Sequence, residues 1–246
     1  MNARKAWGHI AVGIPADDSG NYVVRREDCS LKTHHIQRSM GYCDWDTTSE
    51  LNIRYHDTEW GVPLHDDRRQ FEFLMMEVMQ CGLNWNMMMQ KREIFRKCFE
   101  GFDFDRISDY TETDIVRILE TPGMIRSRRK VEAVIANAHC FQAIRAEFGS
   151  FCDYLWGFSK GKTILYDRHA KGWIPVSNGL SSRISQDLRR RGFRYLGPTT
   201  VYSHLQACGV INDHDCNCPC YARINAENPT VRWHRDEEVD VQYFGD

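Results

Sequence analysis

The stretch Leu119-Glu-Thr-Pro-Gly-Met-Ile-Arg-Ser-Arg-Arg-Lys130-Val-Glu-Ala133 reads as helix, tight turn, helix. Ile115, Ile118 and Leu119 share one face before the break, and Val131, Val134, Ile135 and Ala138 share one after it. Pro122 cannot continue a helix, and Gly123 supplies a turn conformation that other residues resist. The second helix opens with Arg126, Arg128, Arg129 and Lys130. A helix start exposes backbone N–H groups, and the turn lets a charged group come close, so this segment is a natural anion site. The same pattern also describes an ordinary αα-hairpin with a solvated basic face.

Working outward, Asp66-Asp67-Arg68-Arg69-Gln70 leads into Phe71, Leu74, Met75 and Val78, at i, i+3, i+4 and i+7. That spacing predicts an amphipathic helix over 66–80 with an acidic start, stopping near Gly82. A second helix follows through Trp85, Met88, Met89, Ile94 and Phe95. Thr111-Glu-Thr-Asp114 caps a short helix, and a longer one begins near Ser127. Gly157, Gly161, Gly172, Pro175 and Gly179 mark loops between 145 and 185, after which helical patterning resumes at 182–191 and 199–208. Strand-like alternation is scarce and no repeat is present. The expected fold is all-α, one compact helical unit over residues 41–221. Residues 1–40 show no sustained period and are expected to form an N-terminal extension. Residues 222–246, polar and acidic with Pro229, are expected as a tail outside the core.

A chain of 246 residues with 42% hydrophobic and 27% charged side chains can bury a core and is too apolar to be disordered. It contains no run of 18 apolar residues, which excludes a helical membrane span of the ordinary kind. His9, Gly13 and Pro15 interrupt the start where a secretory signal needs an apolar run, so the expected compartment is the cytoplasm. Net charge is −2, and residues 41–220 carry 23 basic against 24 acidic side chains. Any polyanion surface must therefore come from local clusters, such as the hairpin or Arg189-Arg190-Arg191-Gly-Phe-Arg194.

Ten cysteines are too few for a disulfide scaffold. Cys81, Cys98, Cys140, Cys152 and Cys208 fall in apolar helical patterns, where a free thiol acts as a small core group. His214 and Cys218 are four apart and can aim at one ion, and Cys43 with His56 forms a second pair. A Cys₂His₂ closure would tie the start of the domain to its end. Without Cys-x-x-Cys spacing, scattered Cys and His holding no metal is the competing reading. Trp45, Tyr55, Trp60 and Trp85 fall close together with Glu59 and Glu77. Glu77 borders the apolar face of the 66–80 helix, either exposed at its rim or half buried with a raised pKa.

These segments together resemble the DNA-3-methyladenine glycosylase I family of the helix-hairpin-helix superfamily. The matching stretches are Cys43-Asp-Trp45, Tyr55-His56-Asp-Thr-Glu-Trp60-Gly-Val-Pro63, Phe71-Glu-Phe-Leu-Met-Met-Glu77 and Gly82-Leu-Asn-Trp85. They continue with Lys91-Arg-Glu93, Gly192-Phe-Arg-Tyr-Leu-Gly197, and Gln206-Ala-Cys-Gly-Val-Ile-Asn-Asp-His214 followed by Cys218. The resemblance implies a helical fold that flips a damaged nucleotide out of double-stranded DNA containing alkylated bases. It implies hydrolytic excision of 3-methyladenine by a monomer, leaving an abasic site, without lyase activity. It makes Cys43, His56, His214 and Cys218 the ligands of one structural zinc, and Glu77 and Tyr55 the groups that contact the base. Trp85 would stack on that base, and Trp45 would lie beside it. Gly123, Arg126, Arg128 and Lys130 would hold the DNA backbone through the hairpin. Asn84 and Asn86 flank Trp85 where the family has smaller or apolar side chains, which bears on fine substrate selectivity.

The residue types suit the reaction. N3-methylated adenine is cationic, so its glycosidic bond is already weak and the base leaves neutral. Aromatic faces attract a cationic ring, and a carboxylate adds a charge-assisted hydrogen bond. A zinc-stabilised DNA-binding module without catalysis is the alternative class. A zinc-dependent hydrolase is weaker, since four protein ligands leave no open position for water.

Overall fold

The computed structural model describes Cys43, residues 49–167, His169 and residues 172–235. Its elements are α1 Glu50–Thr58, α2 Asp67–Gln80, α3 Trp85–Cys98, a 3₁₀ turn Glu100–Phe102, α4 Phe104–Ser108, α5 Glu112–Glu120 and α6 Arg128–Phe148. They continue with α7 Phe151–Gly157, β1 Thr163–Tyr166, α8 Gly179–Arg190, α9 Pro198–Ala207, α10 Pro219–Glu227 and β2 Thr230–Trp233. The expected N-terminal extension, residues 1–40, lies outside the described residues.

Helix α2 is the axis of the fold. Every residue from Gln70 to Met79 is buried, because α3, α6, α7 and α9 pack around it. A helix enclosed on all sides must be apolar all round or have its polar groups answered. The Asp66 side chain caps its start by accepting from the Arg69 N–H at 2.8 Å. Phe71 meets Phe141 of α6 edge-on at 5.0 Å between ring centroids, and Phe141 stacks on Phe151 at 3.9 Å. The Thr111–Asp114 pair forms the expected capping box on α5. Helix α6 runs on to Phe148, well beyond its legible apolar face.

One expectation is corrected at the C-terminal end. Residues 222–235 are part of the core, since Ile224 and Trp233 are buried. The fold is helical as expected, and one small parallel sheet ties its ends, with Thr163 opposite Thr230 and Tyr166 opposite Trp233. On the other side of β1, Ile164 donates to the Val210 carbonyl at 2.8 Å and accepts from Asn212 N–H at 3.1 Å. That ladder fixes the approach to His214. Gly209 lies just before it at φ +76°, and a Cβ there would come within 2.5 Å of the Pro63 nitrogen. Only glycine lets the two ends of the domain touch at this point. None of the helices described is long and apolar enough to cross a membrane.

Trp233 packs edge-on against Tyr166 at 5.8 Å between centroids. Trp233→Ala is expected to lower unfolding free energy by roughly 2–4 kcal/mol, and removal of residues 222–246 by more. Denaturant midpoints measure both. A tail outside the core would leave them unchanged.

Candidate active site and metal centre

Three polar side chains on the buried part of α2 are treated differently. Gln70 donates to the Leu64 carbonyl at 2.8 Å. Glu72 receives the Arg92 Nε at 2.6 Å and the Arg96 Nε at 2.8 Å. Glu77, buried to the same degree, has no hydrogen-bond or ion-pair partner among the described residues. Burial pushes its pKa up to about 8, so the carboxyl is protonated at neutral pH when nothing is bound.

Around that carboxyl stand aromatic rings. Phe73, one turn earlier on α2, meets the Tyr55 ring edge-on at 6.0 Å between centroids. Tyr55 also lies 5.3 Å from Trp85, tilted at 47°. Burial, and then the nearby Glu77, raise the Tyr55 phenol well above its ordinary pKa, which puts the two groups side by side electrostatically. The Trp85 Nε1–H is buried and unpartnered. Asn84 caps α3 through its Oδ1, which accepts from the Asn86 N–H at 2.8 Å, so one of the two asparagines beside Trp85 has a structural reason. Trp45, the third aromatic group expected here, lies outside the described residues.

The walls are held by charge. Arg92 donates through both terminal nitrogens to Glu59, at 2.8 and 2.7 Å, while its Nε is on Glu72. Its guanidinium also lies 5.5 Å from the Phe73 ring centroid. This arginine thereby locks α1, α2 and α3 in one arrangement. Burial works against the Glu59 carboxylate, but the Arg92 hydrogen bonds and charge hold its pKa below the usual range.

Directly after Tyr55, His56 turns to a second cluster. Its ring, Cys43, His214 and Cys218 are all buried, and one ligand atom from each lies within 4.8 Å of the others. Cys43 Sγ is 3.5 Å from His214 Nδ1, Cys218 Sγ is 3.6 Å from the same atom, and Cys218 Sγ is 3.8 Å from His56 Nε2. The far nitrogens are oriented: His56 Nδ1 is 2.8 Å from Asp57 Oδ1, and His214 Nε2 is 3.0 Å from the Trp60 carbonyl. Two thiols and two imidazoles so placed could hold a metal ion. Next to it, the buried Asp213 accepts from His169, Tyr202 and Gln206 at 2.5–2.8 Å and anchors the loop that carries His214.

The hairpin forms as expected between α5 and α6. Gly123 sits at φ +81°, where a Cβ would come within 2.8 Å of Ile94. Lys91 of α3 donates to the Gly123 carbonyl. The backbone at the start of α6 has no side-chain cap. Arg126 and Arg129 are exposed and unpaired among the described residues. Arg128 is exposed but engaged, with its fork on Glu112 and its Nε on Glu132 at 2.7 Å. Lys130 departs from expectation. Its ammonium is buried and donates to the Met79 and Cys81 carbonyls at 2.6 and 2.8 Å. It serves the C-terminus of α2, whose last carbonyls have no helical partner, and is turned away from solvent.

Sequence reasoning missed several members. Phe73, Arg92 and Asp57 carry, wedge or orient the expected residues. Asp57 was signalled by its position beside His56, since a ligating imidazole needs an acceptor on its other nitrogen. Asn52, three residues before Tyr55 on α1, is also buried.

Residues 45–221 match the family described as methyladenine glycosylase. The chain is 37% identical over 182 residues to DNA-3-methyladenine glycosylase 1 of Escherichia coli strain K12, covering 74% of this chain and 97% of that protein. Among solved structures, it superposes on a crystal structure of 3-methyladenine DNA glycosylase I with a TM-score of 0.69. The identity is 41%, over 73% of this chain and 98% of that one. A structure reporting how the Staphylococcus aureus enzyme recognises 3-methyladenine matches with a TM-score of 0.69 at 33% identity, over 73% and 96% of the two chains. With the match spanning the segments that carry Tyr55, Glu77 and Trp85 and three of the four cluster residues, His56, His214 and Cys218, this chain belongs to the methyladenine glycosylase family.

Proposed function

We propose that this protein excises 3-methyladenine from alkylated double-stranded DNA by hydrolysing the N-glycosidic bond, leaving an abasic site. The observation that carries this reading is the unpartnered carboxyl of Glu77 beside the Tyr55 and Trp85 rings. A cationic base would enter between aromatic faces, each contact worth roughly 0.5–2 kcal/mol. It would also bring the positive charge that favours ionised Glu77. Neutral adenine offers no such charge, so the site separates damaged from undamaged bases by charge as well as shape. Extruding the nucleotide costs a few kcal/mol, which the ring contacts and the Glu77 hydrogen bond offset. The departing base needs no strong acid, because the breaking bond's electron pair neutralises the cation already on the ring. The domain that does this spans residues 41–221 and extends through the strand at 230–233. The uncapped start of α6, Gly123 and the exposed Arg126, Arg128 and Arg129 would grip phosphates. Arg128 would exchange its carboxylate partners for them.

Glu77→Gln keeps the shape and removes the charge. Base release is expected to fall about 10- to 150-fold, the loss of one charge-assisted hydrogen bond of roughly 1.5–3 kcal/mol. Affinity for an abasic duplex should stay the same. In the wild type, kcat/KM should rise with pH and level off above about 8, and the variant should lack this inflection. Stability gives the matching sign. Burial raises the folded-state pKa, so the carboxyl's contribution is complete below its ordinary value of 4.5 and is lost as pH rises through about 8. The glutamine variant should therefore gain stability relative to wild type across that window, as thermal melts will read. Flat profiles for both proteins would remove Glu77 from the reaction.

The metal is proposed to be one structural zinc held by Cys43, His56, His214 and Cys218. Zinc–sulfur and zinc–nitrogen bonds of about 2.3 and 2.0–2.1 Å give tetrahedral edges of about 3.3–3.8 Å, and the donor separations of 3.5, 3.6 and 3.8 Å fit them. A filled shell has no position for substrate, so the ion would contribute to folding. Cys218→Ser is expected to lose the metal and roughly 3 kcal/mol or more, about 6–12 °C in Tm. Metal analysis and calorimetry on protein purified without chelator test this. Retention of both metal and Tm would refute the assignment.

The enzyme is proposed to be monofunctional. A lyase step needs an amine that can form a Schiff base. The helices carrying Tyr55 and Glu77 have no lysine, Lys91 is on the hairpin carbonyl, and the Lys130 ammonium is buried at the end of α2. Borohydride is expected to trap no covalent DNA complex, and abasic strands should stay intact until base is added.

A further inference from the structure

His204, on α9, is only 1% exposed, and neither of its ring nitrogens has a hydrogen-bond partner among the described residues. A buried imidazole left unanswered costs stability, so its place in the fold asks for an explanation. Helices α2 and α9 run in opposite senses. Cys81 Sγ at the end of α2 lies 3.9 Å from Thr200 Oγ1 in the first turn of α9. At the other end, Gln70 of α2 donates to the Leu64 carbonyl at 2.8 Å, and the Leu64 N–H donates to the Cys208 carbonyl at 3.1 Å. Thr200, His204 and Cys208 follow at four-residue spacing and so share the face of α9 that meets α2. Glu77 is one turn before Cys81 and His204 is one turn after Thr200, which puts the two in one layer between the helices. Electrostatics agrees from both ends, since Glu77 acts on Cys81 and on Tyr55, and Cys208 acts on Tyr55 as well. Two buried ionisable groups, each without a partner among the described residues, therefore come opposite one another.

We propose that His204 is a positioning residue for Glu77, donating an imidazole N–H to its carboxylate whenever that carboxyl ionises, as it does when a cationic base enters. This rests on the glycosylase reading above. In the empty site burial alone raises Glu77 to about 8 and lowers His204 to about 3. Both are then neutral, and a neutral pair gains little from contact. Entry of the cation releases the Glu77 proton to solvent, and the carboxylate left behind is a much stronger acceptor. A neutral imidazole suits it, because it supplies one N–H and adds no positive charge to repel the base. The titratable groups packed around the pair are held outside its range. Burial raises Tyr55 on α1, Cys81 at the end of α2, Cys152 on α7 and Cys208 on α9, the last to about 12. Arg92 on α3 is engaged by Glu59 and Glu72, and Lys130 on α6 by two carbonyls. Helix α8 turns Leu180, Ile184 and Leu188 inward, and its Asp187 is held by Tyr154 and Arg191. An inflection near pH 8 is thus left to Glu77.

The test follows the Glu77 carboxyl by carbon-13 NMR of glutamate-labelled full-length protein, with Glu77→Gln assigning the resonance. It also measures kcat/KM for 3-methyladenine release against pH. His204→Phe fills the space and removes the N–H, whereas His204→Gln keeps a donor. In His204→Phe the NMR titration and the kinetic inflection are both expected to move up by about one pH unit, and kcat/KM at pH 7 to fall about tenfold. His204→Gln should titrate close to the wild type. Added to Glu77→Gln, His204→Phe should change kcat/KM no further. Removing an unanswered imidazole should leave Tm equal or higher. A wild-type titration in His204→Phe, the same loss with and without Glu77, or a lower Tm would overturn the proposal and leave the glycosylase reading standing. Absence of base release by the wild type would fail that reading itself, and the NMR titration would still decide whether His204 acts on Glu77.

Discussion

A helix walled in on every side governs this molecule. Once α2 is surrounded by α3, α6, α7 and α9, each polar atom on it must find a partner inside the protein or remain a cost. Glu72 is answered by two arginines, Gln70 by a loop carbonyl, and the terminal carbonyls by Lys130. These answers come from three different elements and pin each of them to α2. Glu77 stands out against this background. Its loneliness is specific, because the same helix shows how the fold treats an acid it intends to neutralise.

The Cys/His cluster and the proposed base site are linked by adjacency in the chain. Tyr55 and His56 are neighbours on a helix of only nine residues, and their side chains point to the two different sites. Holding His56 between Asp57 and the cluster sets the rotation of α1 about its axis, and that rotation aims Tyr55 at Trp85. The cluster thereby decides where an aromatic wall stands. On the opposite side, β1 steers the 210–212 segment so that His214 arrives from more than 150 residues away in sequence.

Much of this was legible in the residues. Apolar spacing located α2, α3, α5 and α6, because each has a face that must be buried. The four members of the Cys/His cluster were named through the family resemblance, since the spacing of Cys43, His56, His214 and Cys218 alone left a reading without metal open. What escaped was whatever depends on a distant partner. The strand at 230–233 is short and polar, and only its register with Thr163–Tyr166, more than 60 residues earlier, makes it a strand. Lys130 sits in a run of cations, and charge alone does not tell a phosphate ligand from a helix cap. Glu72 and Glu77 occupy similar positions on one helix, and only the arrival of Arg92 from α3 distinguishes them.

Lys130 also has a mechanical consequence. Its two hydrogen bonds clamp the first turn of α6 to the last turn of α2, while Lys91 ties the hairpin turn to α3. The hairpin and Glu77 are thus parts of one stiff body, separated by roughly one turn of helix and a lysine side chain. Such a body works as a fixed gauge. If the hairpin holds a phosphate backbone as proposed, the depth at which it seats would also set how far a nucleotide must swing to reach the carboxyl, with no hinge between the two to take up a mismatch.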